Sequence, residues 1–193
     1  SSRCIDAYEQ ARAVCAQFFG TEPGHITFTS GTTDGINRVA AAFADRPGAI
    51  VVTELEHHSN FVPWQQLCKK TGREFRVCPI QPDGALDMEA LEVMLTQGTA
   101  LLAISQCSNV LGMPIPLEQI IPMAHSRGIP VLVDGAQGAC HMTVNLTALD
   151  CDYYVCSGHK LGAPFGIGLL YCKKKLPPMI YGGGMVDRVA VKD

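Results

Sequence analysis

Lys160 stands in Ser157-Gly158-His159-Lys160, directly after the apolar run Tyr153-Tyr154-Val155-Cys156. Such a run reads as a buried strand ending at Ser157, which would leave the lysine amine partly desolvated. Burial lowers a lysine's pKa, and lysines of that kind form Schiff bases. Taken alone, the four residues fit a surface lysine after a turn equally well. A second stretch shifts the balance. Val131-Leu132-Val133-Asp134-Gly135-Ala136-Gln137-Gly138 places a carboxylate at the end of another apolar strand. An amine that holds an aldehyde and an acid that keeps a pyridine nitrogen protonated are the pair that pyridoxal phosphate chemistry requires.

A third stretch suits an anion. Ile26-Thr27-Phe28-Thr29 reads as a short strand running into Ser30-Gly31-Thr32-Thr33-Asp34-Gly35, and Ile36, Val39, Ala40 and Phe43 then repeat at helical spacing. Backbone N–H groups and the helix dipole face outward at such a start, and the Thr32 and Thr33 hydroxyls add donors. A plain Ser/Thr cap on a core helix is the alternative reading.

The elements that would position these groups alternate along the chain. Residues 5–19 carry Tyr8, Ala11, Cys15 and Phe18 at helical spacing, with Gly20 as a stop. A β-rich run over 49–53 is followed by Glu56-His57-His58-Ser59-Asn60, then by a helix through Trp64, Leu67 and Cys68 to Gly72. Residues 75–80 read as a strand, Asp87 caps a helix through Leu91 and Leu95, and 100–105 is a fully apolar strand leading into the loop Ser108-Asn109-Val110-Leu111-Gly112. A helix over 116–127, closed by Gly128, precedes the strand over 129–133. Strands alternating with helices of about ten residues predict βαβ units and a three-layer α/β/α fold with a mostly parallel central sheet. In such sheets ligands gather beyond the carboxyl ends of the strands. Thr32, Thr33, His57, Asn109, Asp134, Gln137, Ser157, His159 and Lys160 all fall at such ends.

Composition narrows the partners. At 193 residues, 47% apolar and 17% charged, the chain suits one domain around a buried sheet, with no internal boundary over 1–193. A net charge of −3 without a basic cluster gives no footprint for nucleic acid, and Lys173-Lys174-Lys175 reads as a solvated turn. No apolar run reaches the ~18 residues of a membrane span, and no secretory signal opens the chain. The nine cysteines include no Cys-x-x-Cys; Cys107, Cys140 and Cys156 lie within or beside apolar strand-like segments and read as core or loop thiols of a reducing cytoplasm. No metal site is expected, because no ligand pair stands near His57-His58. The chain opens inside a helical pattern and ends after Gly182-Gly183-Gly184-Met185 without a closing element, as a piece of a longer polypeptide would.

Five stretches in order carry a family resemblance: Gly31-Thr32-Thr33-Asp34-Gly35-Ile36-Asn37, residues 56–64, Ser108-Asn109-Val110-Leu111-Gly112, Val133-Asp134-Gly135-Ala136-Gln137 and Ser157-Gly158-His159-Lys160. Spanning about residue 28 to residue 184, they resemble the large, cofactor-binding domain of the cysteine desulfurase/selenocysteine lyase group of class V aminotransferases. The resemblance implies that Lys160 holds pyridoxal 5'-phosphate as an aldimine and later moves the substrate's α-proton. It implies that His159, Ser157, Thr32 and Thr33 hold the phosphate, that Asp134 pairs with the ring nitrogen, and that Gln137 bonds the ring oxygen. His57 would stack on the ring and shuttle protons, and Asn109 would lie near the ring oxygen and the substrate carboxylate. His58 is expected to be structural, and His25, His125 and His141 to be ordinary surface or capping residues.

The implied reaction takes L-cysteine, or selenocysteine, leaves alanine and passes sulfur as an enzyme persulfide to an acceptor protein for iron–sulfur cluster or related cofactor assembly. Selenocysteine lyase, kynureninase-like and aminotransferase chemistry are the alternatives, as is a non-catalytic chain. The resemblance also implies a homodimer. It places the N-terminal arm, the small C-terminal domain, the persulfide cysteine and the carboxylate-binding arginine outside these residues, so that the chain alone is expected to lack turnover. One local departure stands out. Where the family tends to read Leu-Tyr-Gly-Pro-Thr-Gly-Ile-Gly, this chain has Leu161-Gly162-Ala163-Pro164-Phe165-Gly166-Ile167-Gly168. Ala163 would strain the loop if its position needed a positive φ.

Overall fold

The computed structural model describes residues 2–178; the Gly182-Gly183-Gly184-Met185 run lies outside the described residues. Helix α1 (Ser2–Phe18) leads through a 3-10 turn, Pro23–His25, into β1 (Ile26–Thr29) and α2 (Thr32–Ala42). Then come β2 (Ala49–Thr53), α3 (His58–Thr71), β3 (Phe75–Cys78), α4 (Met88–Met94) and β4 (Thr99–Ser105). Helix α5 (Leu117–His125) precedes β5 (Val131–Asp134), the one-turn helices α6 (Gly138–His141) and α7 (Leu146–Leu149), and β6 (Tyr153–Ser157). A 3-10 turn, Gly158–Leu161, and a loop connect β6 to β7 (Gly168–Cys172).

The seven strands form one sheet in the order β1-β7-β6-β5-β4-β2-β3. All neighbours pair in parallel except β7, which runs antiparallel to β1 and β6. Side chains alternate across the strands and fill two cores. Ile50 and Val52, Leu101 and Ala103, Leu132, Val155 and Leu170 pack under α2 and α3. Val51, Leu102 and Ile104, Val131 and Val133, Tyr154 and Leu169 face α1, α4, α5 and α7. Burial on both faces explains why the central strands read as continuous apolar runs rather than alternating ones.

Several boundaries differ from the sequence expectation for local reasons. Strand β3 stops at Cys78, before Pro79, and Ile80 instead bridges Leu86. Strand β5 begins at Val131, after Pro130; the Val131 N–H is taken by Asp152 Oδ2 at 2.8 Å. The Tyr8, Ala11, Cys15 and Phe18 stripe of α1 packs only in part: Cys15 reaches the core and Tyr8 meets Phe28 edge-on. Tyr8 and Phe18 are exposed, and Ala16 and Phe19 go into the core, with Phe19 against Tyr154. The helix is apolar around much of its circumference, so spacing alone did not select a face. Cys140 lies in α6 rather than beside a strand, and α6 and α7 are too short to show a period.

Candidate active site

Ser105, Asp134 and Ser157 are the last residues of β4, β5 and β6. Counting back by two from each reaches Ala103, Leu132 and Val155, so all three share the α2–α3 face of the sheet. Ser105 is the register partner of Asp134, and Asp134 that of Val155. The N-termini of α2 and α3 close over the same rim. The result is a cavity of about 270 Å³, near the lower end of the ~300 Å³ and upward range of small-molecule sites. Its wall holds every residue singled out from the sequence: Thr32 and Thr33 from α2, His57 ahead of α3, Asn109 and Gln137 from the loops after β4 and β5, Asp134 and Ser157 at the ends of β5 and β6, and His159 and Lys160 after β6.

The hydroxyl side of this cavity is tied together across the chain. The Thr32 N–H donates to Ser157 Oγ at 2.9 Å, and the two hydroxyls lie 2.7 Å apart. Thr33 Oγ1 donates to Ser59 Oγ at 2.8 Å, and Ser59 Oγ lies 3.0 Å from His57 Nδ1. The Ser59 N–H also donates to His57 Nδ1, at 3.1 Å, which makes His57 the cap of α3.

In the same cavity, Asp134 is buried and accepts the Ala136 N–H at 2.9 Å. Burial pushes its carboxyl above the ordinary carboxylate range; the Ala136 N–H and the charges of Lys160 and His57 oppose that push. The acid and the amine thus face one cavity and feel each other's charge. Lys160 itself is exposed at the mouth, which corrects the expectation of a desolvated amine: a 3-10 turn lifts it off the strand end. In that turn the left-handed conformation falls on Gly162 (φ 83°), so Ala163 carries no such strain. Phe165, at the departure from the family pattern, stacks on the His159 ring at 5.1 Å between centroids, 23° from parallel.

Sequence reasoning passed over four residues. Ser59 and Ser105 line the cavity with the others, and Ser105 was legible by the same strand-end rule as Asp134. Cys107 also lines it, half-buried, although cysteine composition marked it only as a core or loop thiol. Glu56 lies buried beneath, accepting from Thr53 Oγ1 at 2.7 Å, Asn60 Nδ2 at 2.6 Å, Ser105 Oγ at 2.6 Å and the Ser105 N–H at 3.1 Å. Burial pushes it up to about 7 against these four donors. His58 is exposed and outside the cavity wall. His125 is not an ordinary surface residue: its Nε2 lies 2.9 Å from Asp152 Oδ2, at the other end of the strands. His25 meets Thr21 at 3.3 Å and the Tyr171 ring edge-on.

The donor set fits a flat phosphorylated aldehyde. Hydroxyls and N–H groups at a helix start suit a phosphate, a buried carboxyl suits a ring nitrogen, and a solvent-facing amine suits a carbonyl carbon.

Comparison with known proteins agrees. The aminotransferase class-V family model matches residues 1–193. The chain is 45% identical to a cysteine desulfurase of Cronobacter sakazakii and 44% identical to one of Escherichia coli, covering 100% of itself and 50% of each. It therefore spans about half the length of the curated relatives it matches. It is also similar to the crystal structure of the cysteine desulfurase CsdA of Escherichia coli (TM-score 0.88, 39% identity, 98% of this chain and 50% of that one). The apo structure of a cysteine desulfurase from Thermococcus onnurineus NA1 is similar too (TM-score 0.89, 33% identity, 99% and 50%).

Proposed function

The chain belongs to the class-V aminotransferase family, matched along its whole length, and from that premise we propose that it is the cofactor-holding part of a pyridoxal-phosphate-dependent cysteine desulfurase. The observation that carries this reading is the meeting of Asp134, Lys160 and the Thr32, Thr33 and Ser157 hydroxyls on one cavity, from segments far apart in the chain. The cysteine desulfurases among its relatives favour this branch over transamination.

The bound cofactor supplies an electron-withdrawing ring that stabilises charge at the substrate's α-carbon. Asp134 would keep the ring nitrogen protonated, and Gln137 would bond the ring oxygen. Ser157, His159, Thr32 and Thr33 would hold the phosphate, Asn109 would orient the substrate carboxylate, and His57 would flank the ring. Lys160 Nζ would hold the aldehyde and would serve as the base that moves the substrate's α-proton. L-Cysteine and an enzyme thiol become alanine and an enzyme persulfide: the substrate's C–S bond breaks, an S–S bond forms, and the carbon takes up a proton. We place that thiol and the carboxylate-binding arginine outside these 193 residues. The sulfur acceptor is a protein, and the functional unit is a homodimer of the longer chain.

Borohydride treatment of the chain mixed with pyridoxal phosphate should couple the cofactor covalently to the peptide containing Lys160, read by mass spectrometry. Coupling of the same yield in Lys160→Ala would sink the assignment. Release of a keto acid rather than alanine and sulfide by the longer protein would move it to the transaminases.

A further inference from the structure

The proposed chemistry uses His57 and Thr33 but leaves the group between them without a task. Ser59, the second residue of α3, presents its backbone N–H and its hydroxyl to one atom, His57 Nδ1, at 3.1 and 3.0 Å. A backbone N–H can only donate, so Nδ1 is an acceptor and the ring proton of neutral His57 resides on Nε2. The Ser59 oxygen in turn accepts from Thr33 Oγ1 at 2.8 Å, which leaves its own proton for Nδ1. One continuous chain therefore runs from Thr33 Oγ1 through Ser59 Oγ to His57 Nδ1. It links the start of α2 to the start of α3 within the wall of one cavity.

We propose that Ser59 is a positioning residue: it fixes the tautomer and orientation of His57 and links that ring to the hydroxyl that meets the phosphate. The inference deepens the pyridoxal phosphate reading and rests on it for its purpose, though the tautomer itself belongs to the chain alone. With Nδ1 engaged, only the Nε2–H edge of His57 is left to act on a substrate. A phosphate oxygen that draws the Thr33 proton away removes a donor from Ser59 and so alters the field at Nδ1.

Nitrogen-15 spectra of His57 in the full chain test this, with inorganic phosphate and then pyridoxal phosphate as probes. In the unsubstituted chain the Nε2–H form should dominate, and adding either probe should shift the Nδ1 resonance. In Ser59→Ala the backbone N–H still holds Nδ1 as the acceptor, so the Nε2–H form should persist, but the Nδ1 resonance should move from its position in the unsubstituted chain, the probe-induced Nδ1 shift should vanish, and pyridoxal phosphate should bind about three- to tenfold more weakly, as for loss of one hydrogen bond. Ser59→Thr, which keeps the hydroxyl, should restore all three. A His57 spectrum in Ser59→Ala that matches the unsubstituted chain overturns the inference. If neither probe binds the unsubstituted chain while Ser59→Ala still moves the Nδ1 resonance, the positioning role stands and the cofactor reading fails.

Discussion

Cys107 is the thiol placed to report on the cavity. It lines the wall with Asn109 and Asp134, is half-buried, and follows β4 by two residues. Cys4 is exposed on α1, and Cys68, Cys78, Cys151, Cys156 and Cys172 are buried. Burial pushes Cys78, Cys156 and Cys172 up to about 12, which withdraws their thiolates from reaction at neutral pH. A small maleimide should therefore label Cys4 and Cys107 ahead of those five. Pyridoxal phosphate at about ten times its Kd should slow Cys107 about tenfold by occupancy and leave Cys4 unchanged. Equal rates at Cys107 with and without the cofactor would mean that the ligand binds elsewhere. The polar wall was legible in the sequence because each member follows an apolar run. Cys107 was not, since a cysteine beside a strand is as often filler as lining, and only the path of the chain after β4 distinguishes the two.

Glu56 works at the scale of elements. Its four donors come from the end of β2, the first turns of α3 and the end of β4, and Asn60 Oδ1 extends the network to the buried Trp64 Nε1 at 3.0 Å. The carboxylate thus pins together three of the elements that carry the cavity. Because burial raises its pKa from 4.5 to about 7, the folded chain holds this proton more tightly than the unfolded chain does. Its contribution to stability is fully present below about pH 4.5 and is lost as pH rises to about 7, on the order of 3 kcal/mol at 1.36 kcal/mol per pK unit. Glu56→Gln keeps the shape and cannot titrate. Urea unfolding at pH 5 and pH 8 should show the unsubstituted chain losing stability relative to the variant over that interval. Asp134 and every other group cancel in the comparison, so parallel curves for the two proteins would refute the assignment. Helices α2 and α3 were legible because one face of each is apolar and the other polar. The packing face of α1 was not, because Tyr8, Val14 and Phe18 remain exposed on a helix with apolar residues on several sides.

For the whole molecule, the alternating pattern announced a mostly parallel sheet, but neither the order of the strands nor the reversal of β7 is encoded in spacing. Periodicity states which face of a strand is buried and not which strand lies beside it. That order matters at the rim, since among the described residues β1 pairs only with β7, the last of the described strands. The junction is narrow. A Cβ added to Gly168 would lie 2.5 Å from Gly31 Cα and 2.7 Å from the Cys156 carbonyl oxygen, backbone atoms that cannot turn aside. Gly168→Ala should therefore overpack the junction by about 1–3 kcal/mol and lower Tm by about 2–4 °C for each kcal/mol. The displaced Gly31 immediately precedes Thr32, whose N–H holds Ser157 at 2.9 Å, so the same variant should also weaken pyridoxal phosphate binding. Gly24→Ala is the control: an added Cβ there meets nothing within 4 Å, and both Tm and cofactor affinity should stay as they were. Were Gly168→Ala to melt and bind like Gly24→Ala, β1 and β7 would not be packed as closely as described, and the hydroxyl side of the cavity would lose its support.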